Sequence, residues 1–96
     1  MIVGEIFLQP IPNQTFPLIL DGNNYIITIR SFRERTYMSI TINDKKICDN
    51  MRCFSNDVVY PYNDNTKIMF CWLCQDMEEP YYTKFGTLHK LLYVGE

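Results

Sequence analysis

Ninety-six residues carry nine Lys and Arg against eleven Asp and Glu, a formal net charge of −2. This gives no cationic excess with which to displace counterions from phosphate, so no sequence-specific nucleic-acid binding is expected. An apolar share of 47% also argues against intrinsic disorder. The length is that of one domain, residues 1–96, with one modest core.

Met1 to Glu5 lacks a basic leader and a long apolar run, so it does not read as a signal peptide. No stretch approaches the length of a membrane-spanning helix, and no membrane anchor is expected. Ile2 to Leu8 reads as a first strand, stopped by Pro10. Pro10 and Pro12 impose an extended path and remove two backbone donors. Asn13 and Gln14 are suited to bond the strand-edge groups left open there.

Thr15 to Leu20 reads as a second strand, and Pro17 inside it marks an edge. Asp21-Gly22 is a hairpin turn, because Gly accepts positive φ at little cost. Asn24 to Phe32 alternates Tyr25, Ile27 and Ile29 with Ile26, Thr28 and Arg30, the period of a half-buried strand. Arg33-Glu34-Arg35 is a charged turn, Thr36 to Ile42 a return strand, Asn43-Asp44 the next turn and Lys46 to Cys53 the next strand. Arg30, Arg33 and Arg35 read as a solvated strand end and turn, not as a phosphate site.

Asn56 to Asn65 reads as a loop with a short strand at Val58-Val59-Tyr60. Thr66 to Gln75 is a continuous apolar strand, followed by the acidic loop Asp76 to Pro80. Tyr81 to Phe85 fits a strand or a short helical turn, and Leu88 to Val94 a last strand. Six to eight short antiparallel strands with turns every eight to twelve residues imply an all-β fold, a small sandwich or barrel. Its expected core contains Tyr25, Ile27, Ile29, Ile40, Ile42, Phe70 and Trp72.

Four cysteines fall in two pairs, Cys48 with Cys53 and Cys71 with Cys74. Four thiolates at such spacings suit tetrahedral zinc, which would make the chain a zinc-binding β module serving as an interaction adaptor. The context argues otherwise. Cys71 and Cys74 lie in an apolar strand, where residues three apart point to opposite faces. The preferred reading is therefore four free thiols with no metal, acting as small apolar residues in a reducing compartment. His89 is the only histidine and has no nucleophile motif beside it. Asp76, Glu78 and Glu79 read as a solvated charged loop. No catalytic residue and no cofactor site is expected.

Leu8-Gln9-Pro10-Ile11-Pro12-Asn13-Gln14-Thr15-Phe16 resembles the opening of the plug family of phage and prophage contractile-tail baseplates. Leu20 to Arg30 resembles the hairpin that follows in that family, and Met51-Arg52-Cys53 its mid-chain strand end. Pro61-Tyr62 resembles the next loop. Tyr81 to Thr87 and Leu91 to Val94 resemble its C-terminal segment. One departure is that the family often carries Val or Leu where this chain has Cys71 and Cys74.

The resemblance implies a structural virion protein at the axis of the tail tip. It would be assembled in the host cytoplasm, would contact other baseplate and hub proteins as several copies, and would help close the tube before DNA passes. Tyr81, Tyr82, Phe85 and Tyr93 are the candidate interface residues, since aromatic anchors bury much area at low entropic cost.

Overall fold

The period-two patterns resolve into eight strands in a computed structural model that describes residues 2–60 and 67–95. They are β1 (Ile2–Ile6), β2 (Asn13–Leu20), β3 (Asn23–Phe32), β4 (Arg35–Ile42), β5 (Lys45–Arg52), β6 (Val58–Tyr60), β7 (Ile68–Cys74) and β8 (His89–Gly95). Pro61, Tyr62 and Thr66 lie outside the described residues. Tyr81 to Phe85 takes the helical alternative, with a 3-10 turn at Tyr82–Lys84.

Strands β2 to β5 form a meander, and the second sheet has the order β1-β8-β7-β6. All pairings between these strands are antiparallel. The two sheets enclose one core, so the fold is a β-sandwich.

Local chemistry sets the meander. Its three turns each close on two residues, between the pairs Leu20–Asn23, Phe32–Arg35 and Ile42–Lys45. Asp21 and Gly22, Arg33 and Glu34, and Asn43 and Asp44 all have positive φ, between 50° and 78°. Left-handed pairs of this kind match the twist of the flanking strands. Asn, Asp and Gly adopt them readily. Arg33 and Glu34 do not, at a cost on the order of 1 kcal/mol each, and the long β3–β4 register holds them there.

The step from β1 to β2 crosses between sheets through Pro10 and Pro12. There the Gln14 side chain replaces the missing ladder. Its Nε2 donates to the Gln9 carbonyl at 2.8 Å and its Oε1 accepts from the Gln9 N–H at 3.3 Å. Asn13 Oδ1 accepts the Ser31 N–H at 3.3 Å. Pro17 lies on an edge strand, as its missing donor requires.

All seven expected core residues are buried, Trp72 being the most open aromatic among them at 2%. Tyr25 meets Phe70 edge-on with ring centroids 5.6 Å apart. Met38 and Leu91 complete the layer between the sheets. β1 is drawn into the far sheet by β8, with unbroken pairing from Ile2–Gly95 to Ile6–Leu91. At its centre Gly4 faces Tyr93, whose ring occupies the space a side chain would need. An aromatic laid over a strand glycine in this way protects backbone that has no side chain of its own.

Candidate interaction surface

The C-terminal aromatic segment is built on a buried histidine. The inward positions of β8 carry His89 and Leu91, and His89 is wholly buried. A buried imidazole must have both nitrogens bonded. The Tyr81 N–H donates to Nδ1 at 2.9 Å, and Nε2 stands 2.8 Å from Asp76 Oδ1. Nδ1 is therefore the acceptor and Nε2 carries the proton. The other Asp76 oxygen takes Lys84 Nζ at 2.8 Å.

The Lys84 ammonium, helped by His89 and the Glu78 N–H, holds the Asp76 carboxyl far below its ordinary range despite partial desolvation. Asp76 in turn raises the Lys84 pKa. Asp76 is thus not simply solvated, as the acidic loop had suggested. It ties the loop after β7 to the turn before β8. Glu79 is engaged too, at 2.6 Å from Arg52 and 3.9 Å from Arg35.

This network fixes where the four aromatics sit. Tyr81 and Tyr82 are half-buried with ring centroids 4.7 Å apart. Burial and the neighbouring Tyr82 push the Tyr81 hydroxyl up, so it remains a donor at neutral pH. Phe85 is buried at 4% and stacks on Trp72 at 5.4 Å. Phe85 therefore supports the segment from beneath, while Tyr81 and Tyr82 keep open area. Tyr93 stands apart at the sandwich rim over Gly4. A groove of about 270 Å³ beside Tyr81 is lined by Glu34, Glu78, Glu79, Lys84 and His89.

The Asp76 arrangement has a pH consequence. The folded carboxyl is held below the ordinary 3.8, so folding favours its ionised form. That contribution is complete above about pH 4 and is lost as pH falls further. Thermal melts should show the wild type losing stability below pH 4. Asp76→Asn should start less stable at pH 6 and lose less on acidification. Parallel acid limbs for the two proteins would contradict the assignment.

The cysteines do not converge. In β7 Cys74 faces the core and Cys71 faces outward. All four are free, and among the described residues no group of three or more His, Cys, Asp or Glu is placed to hold a metal. Burial raises every one of their pKa values, Cys53 to about 12. Neutral thiols are poor nucleophiles. The four-thiolate alternative thus has no support.

The two outer faces differ in degree. Outside the meander stand Thr15, Thr28, Arg30, Ser39 and Thr41, interspersed with exposed Ile19, Ile26 and Phe32, a mixed surface. Outside the β1-β8-β7-β6 sheet the cross-strand rows are apolar. Val3, Val94 and Met69 form one row, and Glu5, Leu92, Cys71 and Val58 the next. Leu73 and Lys90 follow, with Phe7 beyond the end of β1. The Lys90 ammonium lies 3.9 Å from Glu5, which leaves the face neutral. The apolar rows of this face are contiguous. Composition did not reveal it, because outward and inward apolar residues look alike until the register is known.

Fold and surface together define a small β-sandwich with an exposed apolar sheet face and an ordered aromatic turn. Residues 3–96 match the family model described as the cyanophage baseplate Pam3 plug gp18. The chain belongs to this family of baseplate plug proteins, which makes it a structural protein of a phage tail baseplate. No curated protein matches the chain.

Proposed function

We propose that this chain is the plug at the tail tip of a contractile tail, where several copies around the axis help close the tube before DNA ejection and give way when DNA passes. The family match over residues 3–96 carries this reading. It works through contacts with other baseplate proteins and not through catalysis. Support for that comes from His89, whose two nitrogens are both committed to structural bonds, and from cysteines held as thiols. Tyr81 and Tyr82 on their braced turn, with Tyr93 at the rim and Phe85 beneath, form the proposed contact region.

The test is a phage lacking this gene product. Its tails should lose closure, giving particles that release DNA without contraction or fail to retain it, and wild-type particles should show the chain at the tail tip by cryo-electron microscopy. Gene-deleted particles that keep their DNA normally, or a chain located away from the tip, would refute the proposal.

A further inference from the structure

The four sheet edges are unequal. In β2 the pair Leu20–Asn23 flanks a two-residue turn and is hydrogen-bonded. Alternation then makes Pro17–Ile26 a pair whose backbone groups point away from each other. Pro17 therefore deletes a donor that would face a newcomer. In β5 the ladder shifts register twice, Asn50 is left-handed, and the Asn50 N–H turns back to Ser39 Oγ at 2.9 Å. Lys45 and Lys46 add charge to that strand. β6 has three residues and a register shift. These are the devices by which β proteins block edge pairing.

β1 has none of them. Its register with β8 is unbroken, it contains no proline, and its single charge, Glu5, is matched by Lys90. On its outer side Val3 is 59% exposed and Phe7, just past its end, 80%. We infer that β1 is an acceptor edge. Onto it a neighbouring baseplate subunit adds an extended segment with apolar residues at alternate positions, and that subunit's body covers the adjoining apolar face. This rests on the reading of the chain as a baseplate component.

Strand addition supplies main-chain hydrogen bonds, and alternate side chains supply specificity. On the outer face, those side chains would continue the row Val3–Val94–Met69. A second copy of this chain fits less well. Among the described residues the other edges are guarded, which leaves its own β1 to answer. A seam of two five-residue strands is about 17 Å long. It buries on the order of a few hundred Å², well short of the roughly 1,000 Å² that a stable interface clears. It would also leave both apolar faces bare.

The test compares amide hydrogen exchange in the free chain and in purified tail particles. The open-edge amides of β1 should exchange rapidly in the free chain and at least tenfold more slowly in particles. Val3→Lys, which adds a guarding charge to the edge, should melt at the wild-type temperature yet enter particles at least tenfold less well. Thr15→Lys on β2 should enter normally. Three results would overturn the inference. One is a chain present in particles with β1 amides still fast, which leaves the plug reading standing. Another is a free chain already dimeric with β1 protected, which assigns the edge to a second copy. The third is a chain absent from purified particles, which removes the baseplate reading itself.

Discussion

Trp72→Ala is expected to cost about 3–5 kcal/mol of folding stability, the range for removing a buried aromatic. Trp72 is 2% exposed, sits mid-strand in β7 and stacks on Phe85, so its loss opens a cavity between the sheets and withdraws the surface that holds the C-terminal turn in place. A domain of this size has about 5–15 kcal/mol in total, so the variant should lie near the edge of folding. Trp72→Phe separates packing from polarity. The indole Nε1 is buried without a hydrogen-bond partner, facing at best the Cys53 sulfur, a weak acceptor. Phe keeps the ring for Phe85 and removes a donor that gains little, so this variant should lose far less than Trp72→Ala. Denaturant melts of the three proteins check the order. An unperturbed Trp72→Ala midpoint would show that the sheets are not clamped at this point.

Much of the meander was legible in the sequence because its determinants are local. Alternation along Asn24 to Phe32 fixes which side of β3 faces inward, and two-residue turns then carry the register to its neighbours. Pro17 announced an edge for the same reason, a missing donor that only solvent tolerates. The other sheet was less legible. That β1 pairs with β8 depends on contacts about ninety residues apart, to which no neighbouring residue testifies. The outer apolar face followed only from that register.

The His89–Asp76–Lys84 network was missed on similar grounds. Asp76 sits in an acidic, proline-bounded loop, and such loops are ordinarily solvated. One signal was available. His89 has the same parity as Leu91 at the start of a strand, so an inward histidine needed partners, and an acid on the adjoining loop was a natural source. The segment Tyr81 to Phe85 stayed ambiguous because its geometry is imposed by His89 accepting the Tyr81 N–H, a tertiary bond and not a local preference.

Replacing Tyr81 and Tyr82 together with Ser is expected to leave the chain folded but unable to join its baseplate partner. The expectation comes from where the rings sit. Both are half-buried on a turn fixed by Pro80, whose carbonyl takes the Thr36 hydroxyl, and by the Tyr81 N–H bond to His89. Neither substitution touches those backbone bonds. Tyr82 packs partly on the core, so the double variant should lose a little stability, about 1–2 kcal/mol within the usual range for single sites.

An aromatic anchor at an interface typically costs 2 kcal/mol or more when truncated, roughly a thirtyfold loss of affinity. Two together should reduce incorporation into tails below detection. Tyr81→Ser alone should retain the wild-type melting temperature and still lose most incorporation, which separates contact from folding. Normal incorporation of the folded double variant would remove these tyrosines from the interface. Unfolding of Tyr81→Ser by itself would place that ring in the core.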